Sequence, residues 1–376
     1  MTRILQPACV VLLLAVGAAP LAAQRWDMRY LYDEQKSSLV LTDLQFPSAR
    51  RGVAVGFLEE GRRTKPTAVV TSDGGAHWQL VPLREMPISL FFLNEDLGWL
   101  VTNKGLWVTE EAGKSWRKLH NLPDDILRVY FSSEQHGWAI GSKKSLFETV
   151  DGGKKWKPVA AAAEPKTTRD YTTYSWISFA NPQLGIVTGY SSPPRRVDPR
   201  AAFPEWMDPE RALRRENWPH VLITLETHDG GKTWRPQASS LFGMLARVRF
   251  GPPSTGLGLV EFPDSSPYPS DVMRLDLKTG KNQRIYRERN RAISDVWIDS
   301  KGVAYLAGTE VVGRLRSIIP SQVKVSVSHD LNKWTETAVD YRAVANRVML
   351  SAPDDNHLWL ATDTGMILQY VSAAKP

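Results

Sequence analysis

Cysteine is almost absent: the 376-residue chain has one, Cys9, at the start of an uncharged N-terminal stretch. A single thiol excludes a disulfide framework. The segment 1–23 reads as a secretory leader, with Arg3 as its positive start, an apolar stretch over Ala8–Ala19 and small residues at Ala22 and Ala23. Cys9 lies away from that cleavage point, ill placed for a lipid-modified N-terminus, and leaves with the leader. An uncleaved signal anchor is the alternative, but the apolar stretch is too short to cross a bilayer and no later run approaches that length. The mature chain is therefore read as exported, periplasmic or secreted, without a membrane span.

Other absences narrow the function. The formal charge of +7 falls to +6 without Arg3, an excess too small to call for nucleic acid. The histidines His77, His120, His136, His220, His228, His329 and His357 are scattered, and none forms a pair of zinc type. There is no Gly-x-Ser-x-Gly elbow and no glycine-rich phosphate loop. No cofactor and no metal are implied, and calcium held by turn carboxylates has no motif behind it. Long helical periodicity is missing almost throughout.

Tryptophan, by contrast, is abundant: fourteen in one chain call for a periodic placement. Four segments share one spelling, a hydroxyl, an acid two later, a glycine two after that and a Trp three further on. They are Thr71-Ser-Asp73-Gly-Gly75-Ala-His-Trp78, Thr109-Glu-Glu111-Ala-Gly113-Lys-Ser-Trp116, Thr149-Val-Asp151-Gly-Gly153-Lys-Lys-Trp156 and Thr227-His-Asp229-Gly-Gly231-Lys-Thr-Trp234, with a shortened copy at Ser328-His-Asp330-Leu-Asn-Lys-Trp334. The chemistry is that of a tight hairpin: the carboxylate accepts backbone N–H groups across the turn, glycine tolerates positive φ, and the indole buries its ring beneath the loop.

About twenty residues before each such turn an apolar stretch leads through an exposed turn into a second strand, often Gly-aromatic: 90–99, 129–138 and 177–186, with the same cadence at 44–55, 248–259, 296–305 and 348–359. That makes seven units, and Trp78, Trp116 and Trp156 stand 38 and 40 residues apart, in the range of four-stranded propeller blades. The expectation is an all-β, seven-bladed propeller, one domain over residues 24–376. The last unit is one strand short, and the unassigned strand-like segment Trp26–Tyr32 is expected to complete it, because an open ring would leave long sheet edges exposed.

The acid-glycine-tryptophan turns resemble the Asp-box of the bacterial neuraminidase repeat, and their combination with a Gly-Trp strand resembles the photosystem II assembly factor-like propellers. That resemblance implies a seven-bladed, non-catalytic protein that holds a protein or peptide partner. It also implies that the Asp-box sits at the blade periphery, so that Asp73, Glu111, Asp151, Asp229 and Asp330, with Trp78, Trp116, Trp156, Trp234 and Trp334, are structural. The alternative is a secreted sialidase-like or other glycan-active or glycan-binding propeller. A sialidase-like site needs three arginines, a Tyr–Glu pair and an acid, and resembling enzymes carry an Arg-Ile-Pro signature that Phe46-Pro-Ser-Ala-Arg50-Arg51 does not match. The loop acids Asp124, Asp125, Asp264, Asp354 and Asp355 show no spacing that selects a catalytic pair.

Two departures from the period are candidate partner-binding segments. The fourth unit carries an insertion at about 190–220, with a short helix expected over 208–217 (Asp208 cap, Pro209, Glu210/Arg214 pair), presenting Arg195, Arg196, Trp206, Arg211, Arg214, Arg215 and Trp218. A decorative loop is the plainer reading of it. In the second, 281–291, Lys281, Arg284, Arg287, Arg289 and Arg291 face one acid, Glu288. On an alternating strand these would mostly share an exposed side, extended by Arg314 and Arg316, as a stripe for acidic protein segments or lipid headgroups or, more plainly, as a charged edge that deters aggregation. Neither segment implies an oligomer, and a monomer is expected.

Overall fold

The computed structural model describes residues 24–119, 123–192, 220–251, 255–263, 266–276, 279–310 and 320–371. The leader 1–23, the insertion from 193 to 219 with all seven of its candidate residues, and Arg314 and Arg316 lie outside these. Among the described residues the regular structure is β, apart from two 3-10 turns at Ala160–Ala163 and Arg169–Tyr171. No helix among them is long and apolar enough to cross a membrane.

Five consecutive four-stranded sheets have innermost strands Ser38–Gln45, Pro87–Phe92, Ile126–Phe131, Thr172–Phe179 and Met244–Gly251. The sixth blade begins with Arg291–Ile298 and ends with Thr335–Val339. The seventh has Val348–Ser351 innermost, then Trp359–Thr362 and Met366–Val371. Each innermost strand packs against the next, and that of the seventh packs back on that of the first, so the ring closes. The expectation for the N-terminal segment holds: Arg25–Leu31 pairs antiparallel with Met366–Val371, from Arg25 opposite Val371 to Leu31 opposite Met366. It also meets the outer strand of the sixth blade in parallel, Trp26 opposite Val339, which merges the last two blades into one sheet.

The two sequence motifs are halves of one packing unit. The glycine that opens the second strand of each of the first four blades is required by an aromatic ring at the end of its own blade's innermost strand: a Cβ at Gly52, Gly98, Gly137 or Gly185 would lie 2.3–2.6 Å from Phe46, Phe92, Phe131 or Phe179. Three of those phenylalanines stack on the tryptophan of the preceding blade, Phe46 on Trp359 at 4.0 Å, Phe131 on Trp99 at 3.7 Å and Phe179 on Trp138 at 5.1 Å between ring centroids, the first two nearly parallel. The tryptophan of the turn meets this pair edge-on, as Trp78 does against Trp359 and Trp234 against Trp138. The interfaces of the seventh blade with the first, the second with the third and the third with the fourth are thus sealed by aromatics drawn from two blades, whereas between the first and second Val53 takes the place of the tryptophan beside Phe92 and Trp116.

The turns close as their spelling implies. The Thr71 hydroxyl donates to Asp73 Oδ1 at 2.9 Å and accepts from the Gly75 N–H, while the His77 N–H donates to the same carboxylate oxygen. Asp151, Asp229 and Asp330 repeat the arrangement, and in the Glu111 copy Ser115 donates to the longer carboxylate. Hydrogen bonds from backbone and side chain hold the Asp73 and Asp229 carboxyls at about 2, below the ordinary value of 3.8. A depressed folded-state pKa gives stability that is complete above the ordinary value and is lost as pH falls through about 2. Urea midpoints of the wild type and Asp229→Asn should therefore differ most near neutrality and converge as pH falls from about 4 to about 2. A gap that ignores pH would show that this carboxylate is not what ties the turn.

Candidate axial binding site

Each of the first six innermost strands carries a register irregularity one residue before the same position, so their pairing aligns them residue for residue. The position after the bulge is Asp43, Ser89, Arg128, Trp176, Arg247 and Asp295 in blades one to six, and pairing places Met349 there in the seventh. Two residues on, facing the same way, stand Gln45, Phe91, Tyr130, Ser178, Arg249, Trp297 and Ser351. The intervening residues, such as Leu44, Leu90, Val129 and Val248, fill the interblade core.

Several members of these two layers stitch one blade to the next. Asp43 and Gln45 accept the Leu90 and Phe92 N–H groups at 2.9 and 2.8 Å, the Trp176 indole donates to the Val248 carbonyl at 2.7 Å, and Asp295 accepts the Leu350 N–H at 2.9 Å. The fourth blade's Trp176 is then the hub of a cationic cluster. Arg128, Arg247 and Arg249 stand with their guanidinium carbons 4.3, 4.7 and 5.1 Å from its ring centroid, and Arg249 also lies 5.1 Å from the Trp297 ring. Two acids answer the three cations: Asp43 reaches Arg128 at 3.6 Å and Asp295 reaches Arg247 at 3.3 Å.

Arg249 is the remainder. It makes no ion pair among the described residues, and its Nε is buried without a hydrogen-bond partner. Burial lowers its pKa from the ordinary value, and burial likewise pushes Arg128 down to about 10 against the pull of Asp43. Both guanidiniums remain charged at neutral pH, in a setting of low dielectric where an incoming anion would be held strongly. Neither axial carboxylate is poised as an acid or a nucleophile: Asp43 accepts from the backbone of Leu44 and Leu90, Asp295 from Val296 and Leu350, and each faces an arginine.

None of these axial residues was singled out by motif reading. The signal lay in the repeat itself: aligning the seven inner strands exposes a column in which Asp, Arg and Trp stand where the neighbouring column is uniformly aliphatic. Of the loop acids, Asp125 pairs with Lys143, Asp354 with His357 and Asp355 with Ser300 and Lys301, as surface turns do. Arg284, Arg287 and Arg289 are exposed at the outer edge of the fifth blade. Arg291 departs from the expected stripe: it begins the innermost strand of the sixth blade, is 7 % exposed, and pairs with Glu336 at 2.6 Å. The chain turns from one blade into the next at 288–290, which carries position 291 away from the edge.

Comparison with known proteins agrees with this architecture. The family model described as photosynthesis system II assembly factor YCF48 matches residues 120–192. The photosystem II assembly lipoprotein Ycf48 of Picosynechococcus is 42% identical over 43 residues, 11% of this chain and 13% of that relative, so the match spans about an eighth of its length. A structure of YCF48 bound to D1 peptide superposes with a TM-score of 0.60 at 16% identity, over 93% of this chain and 96% of that one. YCF48 from Cyanidioschyzon merolae follows with 0.58 at 14%, over 93% and 98%. The chain thus resembles the photosystem II assembly factor-like propellers locally in sequence and nearly throughout in fold.

Proposed function

We propose that the protein is an exported, non-catalytic propeller that holds an acidic protein or peptide segment at its axial arginine cluster. The observation behind this reading is Arg249, whose Nε is buried without a hydrogen-bond partner and which pairs with no carboxylate among the described residues, set between two tryptophan rings in a rigid ring of sheets. Such a group is costly to leave unpaired and is stabilised by a partner's carboxylate. The D1 peptide bound by one structural neighbour is a precedent for a peptide ligand on this fold. Export rests on the leader read in residues 1–23, and the Asp-box turns serve as scaffold. The sialidase-like alternative has less behind it: the aromatic hub among the three arginines is tryptophan, and the two acids beside them are engaged by backbone N–H groups.

The test is fluorescence anisotropy with a labelled Glu-rich peptide and its Gln counterpart, at low and high salt. The wild type should bind the acidic peptide alone, more weakly as salt rises. Arg249→Gln should weaken it by about ten-fold or more, the scale of one charge-assisted hydrogen bond. Equal binding by wild type and variant, or equal binding of both peptides, would remove the axial site from consideration.

A further inference from the structure

The edge arginines of the fifth blade form a second cationic centre. Its outer strand Asn282–Arg287 pairs with Ser270–Asp276, Arg287 opposite Asp271 and Tyr286 opposite Val272, but Arg284 opposite Met273. Ile285 is therefore an extra residue. Positions 284 and 287 would lie on opposite faces of a regular strand, and the bulge brings them to one. Both arginines converge on one carboxylate: Arg287 donates through Nε and Nη2 to the two oxygens of Asp271, and Arg284 Nη1 lies 3.9 Å from Oδ2.

A tyrosine completes the corner. Just before the third strand, where the Pro269 carbonyl accepts the Phe262 N–H at 2.9 Å, the Tyr268 ring stands 4.7 Å from the Arg287 guanidinium and 5.5 Å from that of Arg289. A hydrogen bond with Arg289 and the charges of Arg289, Arg287 and Arg284 lower the Tyr268 phenol below its ordinary pKa, which places all three arginines in its field. The charge of Glu288 acts on Tyr286 and Arg291, whereas the charges that act on Tyr268 are those of the three arginines. Arg284 and Arg287 share the Asp271 carboxylate and Arg289 lies against Tyr268, so that among the described residues of this corner two positive charges are in excess, on a different strand, loop and exposure from the axial cluster.

We propose that Arg284, Arg287, Arg289 and Tyr268 form a binding site for a phosphoryl group. The surplus matches the charge of a phosphate monoester, about −1.5 to −2 at neutral pH, whose several oxygens suit guanidinium forks that approach from different strands. An elongated acidic chain would need its charges spread along a groove, and here they are gathered around one carboxylate and one ring. Asp271 holds Arg287 in place without neutralising its neighbours.

Calorimetric titration with phosphoserine, and sedimentation with vesicles of phosphatidic acid against vesicles of phosphatidylcholine, test this and separate a soluble ester from a lipid headgroup as the source. Saturable binding of either phosphoryl probe is expected, with a loss of about ten-fold in Arg289→Gln and in Arg284→Gln, a smaller loss in Tyr268→Phe, and none in Arg249→Gln. An unchanged thermal midpoint in each variant ensures that the fold is intact. No saturable binding of either probe, or binding that survives both edge substitutions, overturns the proposal; loss in Arg249→Gln alone would assign the phosphoryl group to the axis instead.

Discussion

Removing residues 24–34 should abolish cooperative folding at ordinary temperature, although the segment is a small fraction of the chain. Its strand Arg25–Leu31 is the outer strand of the seventh blade, and without it the edge of Met366–Val371 is exposed over its whole length. The anchor is Trp26: 2 % exposed, its indole donating to the Thr337 hydroxyl at 3.0 Å and its ring packed against Tyr370. Trp26→Ala removes both the ring and that hydrogen bond across the sixth and seventh blades, at a cost of about 3–5 kcal/mol. Because Trp26 joins residues at the two extremes of the described chain, the loss should appear as global destabilisation in urea or thermal unfolding, with faster exchange of the 366–371 amides. A deletion variant that melts as the wild type does would mean that the ring does not depend on this strand.

Asp295→Ala should be the most damaging single change at the axis. The carboxylate is 2 % exposed, accepts the Val296 and Leu350 N–H groups, and stands 3.3 Å from the Nε of Arg247, itself buried. Taking it away leaves a buried cation without its acid and an N–H of the seventh blade unpaired. Breaking a buried pair in this way typically costs about 3–5 kcal/mol. Asp43→Ala should cost less, because Asp43 is more exposed and its Arg128 contact is longer, 3.6 Å. The second change needed to separate charge from packing is Arg247→Met on top of Asp295→Ala: removing the cation left without its acid restores the original charge balance of the axis and should recover a good part of the loss. If Asp295→Ala costs under about 1 kcal/mol in urea unfolding, the view of the axis as a tightly paired interior is wrong.

These results bear on binding as well. Asp295 holds Arg247 over Trp176, and Trp176 in turn presents a face to Arg249. A ligand carboxylate that meets Arg249 therefore meets a side chain whose surroundings are already ordered, which reduces the entropy lost on association. The phosphoryl corner on the fifth blade is built differently, from a bulge and a loop at the edge, and gains its order from Asp271.

Blade number, ring closure and turn chemistry were legible in the linear chain because each is local or periodic. A turn needs an acid, a glycine and a tryptophan at set spacing, and one blade cannot bury its aromatic faces without copies on either side. The glycine before Trp99 and Trp138 could be read as part of the motif, but its reason, a phenylalanine ring lying over it, needed coordinates. Which charges face one another was not legible. Asp43 and Arg128 come from the first and third blades, and Arg247 and Asp295 are 48 positions apart in neighbouring ones. Arg284 and Arg287 share a face only because one extra residue bulges between them, and Arg291, two residues beyond the exposed Arg289 in the same basic run, is buried in another blade. Periodicity specifies a repeated scaffold because each unit answers to its own short-range chemistry; the pairing of charges across the ring depends on distances that exist only once the seventh blade has met the first strand.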